Sequence, residues 1–221
     1  MMAADRAIAR SHKSGAPRRV LAAGGLALSV AMAGITSAGA AEPLSALRTQ
    51  ALSYVEDGHY GDALNAYQRI AELHPDDAQA HYDLAATMTF IRMYIDAQTP
   101  IARARRLAPD EPRFHALAAL LHMVLNEHRE AFAASLAGAK LGDAQAMFTL
   151  VGMYEAGRGT RQDSHEGLRW LIRAAEHEHL SALEMLVAEY TDGGSFARPD
   201  AGQARLWKAR LEAAERRLNL R

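Results

Sequence analysis

The feature that most constrains this chain is a long internal period. Ala63, Ala97 and Ala131 are spaced by 34, and so are Leu73, Leu107 and Leu141; Tyr60 and Tyr94 share the interval, as do Pro75 and Pro109. A fixed period of this length means one small unit stacked on copies of itself, because a single unit cannot bury its apolar face alone. Within the first unit Leu47, Ala51 and Tyr54 recur at four and three residues, an apolar stripe of helical period. Gly58 follows that stripe and is free to take positive φ, and Asn126, at the matching place two units on, is the next-best residue for the task. The repeated alanines let two helices approach closely, and Pro75 and Pro109 cannot continue the helix before them. The pattern predicts paired helices and no strands.

The run Tyr54-Val-Glu-Asp-Gly58-His-Tyr60-Gly-Asp-Ala63-Leu-Asn-Ala-Tyr67, closing at Pro75, resembles a tetratricopeptide repeat. Three units follow from it, 44–77, 78–111 and 112–145. The third is degenerate, with Asn126 for the turn glycine, His128 for the tyrosine and no closing proline. From Gly142 the period lengthens: Tyr154 and Tyr190 are 36 apart, as are Gly157 and Gly193, and Trp170 and Trp207 are 37 apart. The stretch from Ala144 through Tyr154, Gly157-Arg-Gly159, Asp163 and Trp170 to Ala175 resembles a Sel-like repeat. A second copy keeps Tyr190, Gly193, Pro199-Asp200 and Trp207 but shows Gly194-Ser195-Phe196 where a loop glycine belongs. The resemblance implies an all-α fold, a right-handed α–α superhelix of about five helix hairpins, divided into tetratricopeptide-like repeats over 41–141 and Sel-like repeats over 142–221. Asp163 and Asp200 are placed to cap the helices after them. A closing helix near 200–219 turns Ala204, Trp207, Leu211, Ala214 and Leu218 inward. It turns Arg205, Lys208, Glu212, Glu215 and Arg216 outward, while Arg216, Arg217 and Arg221 suit its C-terminal dipole.

Residues 1–40 read differently. Arg6, Arg10, Lys13, Arg18 and Arg19 face only Asp5 and lead into an apolar run from Val20, which ends in Ala38-Gly39-Ala40. A basic start, a short apolar run and small residues at a cut site describe an export signal, with cleavage expected after Ala40 and a periplasmic or secreted product. A retained anchor is the alternative, and Arg18-Arg19-Val20-Leu21 resembles a twin-arginine signal alongside the ordinary secretion route. The chain holds 25 Lys plus Arg against 26 Asp plus Glu; removing the basic start leaves a mildly acidic body, which argues against nucleic acid. There is no cysteine, which excludes disulfides and thiol chemistry.

No acid–base or nucleophile set is visible, so neither an enzyme nor a cofactor is expected. Gly157-Arg-Gly159 lacks the strand and lysine of a phosphate loop, and His177-Glu178-His179 lacks the i, i+4 spacing of a zinc-binding helix. His81 and His115, 34 apart, with His122 on the same helix face as His115, are the candidate metal ligands; their other reading is as histidines packed between helices. In tetratricopeptide arrays the first helix of each pair lines a concave groove. Carried onto this sequence, that places Arg48, Leu52 and Val55, then Tyr82, Ala86 and Phe90, then Arg113, Ala116, Leu120, Met123 and Val124 in a mostly apolar channel, with Arg48 and Arg113 as charges on its margin. The Lys and Asn set that grips a peptide's terminal carboxylate in one subset is absent. The implied role is an exported scaffold or adaptor that holds a helix or extended peptide of another envelope protein. The alternative is a periplasmic regulator that binds the external domain of a membrane sensor. The competing reading makes Leu52, Val55, Phe90 and Met123 core, or has residues 41–46 cover them.

Overall fold

The computed structural model describes residues 43–219; the expected export signal, its cleavage point and Arg221 lie outside the described residues. The described residues form ten α-helices and no strand. These are α1 (Leu44–Glu56), α2 (Tyr60–Leu73), α3 (Ala78–Phe90), α4 (Tyr94–Leu107), α5 (Pro112–Val124), α6 (His128–Lys140), α7 (Ala144–Ala156), α8 (Ser164–Glu176), α9 (Leu180–Asp192) and α10 (Ala201–Asn219). Consecutive helices pair into five hairpins, and each helix packs on those before and after it in the chain, with α3 also touching α5. This near-neighbour pattern is that of a solenoid, in which stability accrues hairpin by hairpin. The core accordingly runs along the stack as three clusters, around Leu47 to Leu84, Ala85 to Ala134 and Ala139 to Ala214.

Local chemistry explains the register. Ala63, Ala97 and Ala131 are fully buried, where a larger side chain would push the paired helices apart. Gly58 has φ +75° and Asn126 +60°; Arg92, at the equivalent place in the second unit, is held at +66°. Thus the turn conformation is set by the two helices it joins, and all three units adopt it whatever residue is present. Asp77, Asp143 and Asp163 cap α3, α7 and α8 by accepting backbone N–H bonds, and Asp200 does the same for α10. The loops within the first three hairpins have three residues (57–59, 91–93, 125–127), against seven and eight in the last two (157–163, 193–200).

Those longer loops fold back on the stack. Gly159, at φ +73°, lies against the backbone of His128, and any Cβ there would overlap the His128 carbonyl. In the second long loop Phe196 performs the packing instead. Its ring is buried against Gly167 of α8, where an added Cβ would come within 2.5 Å of it, and the Glu189 carboxylate accepts N–H bonds from Phe196 (3.0 Å) and Ala197 (2.9 Å). The missing loop glycine is therefore replaced by an aromatic plug over a glycine on the facing helix. In α10 Trp207 and Ala214 are buried, Ala204 and Leu211 half-buried, and the five outward residues exposed. Leu218, expected inward, is 53% exposed, because α10 runs past the end of the shorter α9 that it packs on.

Candidate functional site

The first helices of the hairpins, α1, α3, α5, α7 and α9, occupy equivalent places along one side of the stack. Between α3, α5 and α7 lies a cavity of about 550 Å³, with Ala116, Leu117, Leu120 and Met123 of α5 at its centre. Tyr82 and Arg113 form one wall, and Asp143, Gln145 and Thr149 the other. A second cavity of about 470 Å³ shares Met123, Gln145 and Thr149 with the first and continues over Phe148, Gly152 and Glu155 to Met185 on α9. The two form one channel, mostly apolar, that crosses from the tetratricopeptide-like hairpins into the Sel-like ones.

Of the residues assigned from sequence, Tyr82, Arg113, Leu120 and Met123 line this channel, together with Ala116. Leu52 (53% exposed), Phe90 (65%) and Val124 (42%) are open to solvent on α1, α3 and α5, outside the two cavities. Phe90 leans on Tyr60, ring centroids 4.5 Å apart. Val55 and Leu44 pack into the first core cluster, so the start of α1 does not cover the channel. Arg48 is not a free cation at the margin: it pairs with the capping carboxylate of Asp77 and ties α1 to α3. Gln145, Phe148, Thr149 and Met185 also line the channel and lie beyond the residues assigned from sequence, which end with α5. The extension was legible in the apolar stretch Ala144 to Tyr154, but the change of period at Gly142 hid the continuity.

The polar groups at the first end of the channel hold one another. Arg113 pairs with Glu111 (3.1 Å), donates to Gln79 Oε1 (3.2 Å) and lies 5.4 Å over the Tyr82 ring. The Arg113 bond holds the Glu111 carboxyl below its usual range. Gln79 Nε2 donates to Asp83 (2.6 Å), whose carboxyl is raised by burial despite Arg48 and Arg113 nearby. Beneath them burial pushes the Tyr67 phenol up to about 12. At the second end His179 caps α9: its Nδ1 accepts the Ala182 N–H (3.3 Å), its Nε2–H donates to Gln145 Oε1 (3.1 Å), and its ring stacks on Phe148 at 4.6 Å. It thus braces the channel wall through Gln145 and Phe148, whereas its neighbours His177 and Glu178 are exposed.

The three candidate metal ligands are not brought together. His81 Nε2–H donates to the Pro75 carbonyl (2.9 Å), and His115 Nε2–H to the Pro109 carbonyl (2.7 Å), each securing the proline turn before its helix. His115 Nδ1 accepts from Arg105 (3.2 Å), and His122 Nδ1–H donates to Glu127 (2.6 Å). Among the described residues no three His, Asp or Glu side chains gather as a metal site would require. Nor is any described helix long and apolar enough to cross a membrane.

Residues 54–121 match the tetratricopeptide repeat family model. Among solved structures the chain is similar to a Sel1 repeat protein from Oxalobacter formigenes, at 22% identity and a TM-score of 0.61, covering 78% of this chain and 74% of that one. It is similar to MamA (41-end) from Desulfovibrio magneticus RS-1 at 17% identity and 0.56, covering 78% and 95%. It also resembles c5321, a protective antigen of uropathogenic Escherichia coli strains displaying an SLR fold, at 19% and 0.58, covering 79% of this chain and 42% of that one. No curated protein matches the sequence. At these identities the likeness is one of fold: the ten helices form a stack of five hairpins, the helical-repeat architecture of tetratricopeptide and Sel-like repeat proteins.

Proposed function

We propose that this protein is an exported scaffold or adaptor of the cell envelope that acts by binding alone, holding a helix or extended peptide of another protein in its concave channel. The observation that carries this reading is the continuous channel over α3, α5, α7 and α9, whose central Leu120 stays half exposed. A contiguous apolar strip left open on a well-packed stack is characteristic of a surface awaiting a partner, and an apolar groove of helical walls suits a helix laid into it. Export is supported by the basic and then apolar residues 1–40.

Photo-reactive side chains placed at Met123 and Met185 test it in intact cells. Both positions are expected to give the same adduct, and Leu120→Asp should abolish it without changing helicity. Adducts formed equally from Ile95, an exposed apolar residue on α4 (73%), would refute the assignment to the channel.

A further inference from the structure

We propose that the channel takes a cationic amphipathic segment of its partner, apolar on one side and carrying Lys or Arg on the other; this rests on the channel reading above. Among the described residues the channel carries more acidic than basic groups without a partner. The two arginines at the first end are already occupied, Arg48 with Asp77 and Arg113 with Glu111. Two carboxylates have no ion pair among the described residues: Asp83, half-buried on α3, lies near Arg48 and Arg113 but is hydrogen-bonded only by the Gln79 amide, and Asp143, in the wall of the first cavity, is bound to the backbone N–H of Ala146 and to no cation.

The excess continues along the stack. Glu155 of α7 lines the second cavity without an ion pair among the described residues, opposed there by Arg158 alone. The interval of 36 that separates Tyr154 from Tyr190 puts Glu184 of α9 where Phe148 stands on α7, and Asp192 where Ala156 stands. Both are exposed and unpaired among the described residues. An acidic partner would meet this row with Arg158 as the one unpaired cation among the described residues lining the second cavity, whereas a partner with cations gains at each of the carboxylates.

A helix also suits the channel: laid across the first helices of the hairpins, it advances about 11 Å in two turns and presents one face to them. Its apolar face meets Leu120, Met123, Phe148 and Met185 in turn, while lysines flanking that face reach Asp83, Asp143, Glu155 and Glu184.

The test uses the full chain and fluorescent synthetic peptides of about 18 residues, five turns: one of Leu and Lys in amphipathic order, and one with Glu for every Lys. The Lys peptide is expected to bind about tenfold or more tightly than the Glu peptide, and to weaken as salt rises. Glu155→Lys with Glu184→Lys, both at exposed positions that leave the fold intact by circular dichroism, should erase most of that preference, and Leu120→Asp should weaken both peptides. Equal binding of the two peptides, or a preference untouched by the charge reversals while Leu120→Asp still weakens binding, overturns the charge class and leaves the channel standing. If neither peptide binds and the chain instead dimerises through a contact that Leu120→Asp dissolves, the occupant is a second copy and the proposal fails.

Discussion

His179 is an unusual residue to start a helix, and its contacts make a quantitative prediction. The equivalent places on α3 and α7 hold Asp77 and Asp143, which cap as anions; His179 caps through Nδ1, and only while that nitrogen carries no proton. The other ring nitrogen donates to Gln145 and the ring stacks on Phe148. An N-cap contributes about 1 kcal/mol, and an aromatic stack about 1 kcal/mol more. His179→Ala should therefore loosen the α9–α10 hairpin by about 2 kcal/mol. Because the hairpin is terminal in the stack, the loss should be local: amides of α9 and α10 that exchange by its opening should exchange about 30-fold faster, with those of α1–α6 unchanged.

The pH dependence follows in sign. Burial lowers the His179 pKa below the ordinary value, with Asp143 opposing. Above about pH 6.5 the imidazole is neutral whether the hairpin is open or closed, and its contribution is complete. As the pH falls below that, the open state takes up the proton first, so stability declines until the lowered native pKa is passed and then levels off. His179→Asn keeps a capping side chain that does not titrate. Comparing hydrogen exchange at pH 7.5 and 5.5, corrected for intrinsic rates, the extra opening of α9–α10 in acid should be smaller in His179→Asn than in the parent. An acid effect of the same size in both would refute the reasoning.

Other positions yield sharper structural tests. Gly159→Ala forces a Cβ into the His128 carbonyl at a positive φ and should cost about 2–4 kcal/mol in urea denaturation; a loss under about 0.5 kcal/mol would mean that the loop does not pack as described. Glu189→Ala leaves the Phe196 and Ala197 N–H groups without their acceptor and should cost about 1–3 kcal/mol, while Glu189→Gln, which keeps a carbonyl oxygen, should cost less in the same assay. Ala97→Leu overpacks a fully buried contact and should cost about 1–3 kcal/mol; Ala133→Leu, exposed on α6, should leave the denaturation midpoint unchanged.

Periodicity made the helices, their pairing and the caps at Asp163 and Asp200 legible, because each depends on residues close in sequence. What it concealed depended on contacts between units. Arg92 gives no sign of a left-handed turn by its own chemistry, and only its place midway between Gly58 and Asn126 in the repeat puts it there. His81 and His115 share the same interval, which points to stacking as a way to bring them together. That interval also separates Pro75 from Pro109, and each imidazole returns to the carbonyl of its own proline. Arg48 reads as a free charge at the margin because its partner, Asp77, lies 29 residues away on the next hairpin.

The channel's length was hidden for a related reason. Leu44, Ala78 and Pro112, which open α1, α3 and α5, are evenly spaced at 34, whereas α7 starts 32 after α5 and α9 starts 36 after α7. Read as a change of period, this looks like a boundary between two kinds of surface. Yet the first helices of all five hairpins are equal in length. The extra length enters in the loops of 157–163 and 193–200, between the helices of a pair. A longer loop there changes how the second helix is reached but not where the next first helix lies. The wall that presents Leu120 therefore passes without a break to Thr149 and Met185. A partner crossing the stack meets one surface, and substitutions at Met123 and Met185, far apart in sequence and on different kinds of repeat, should impair the same binding event.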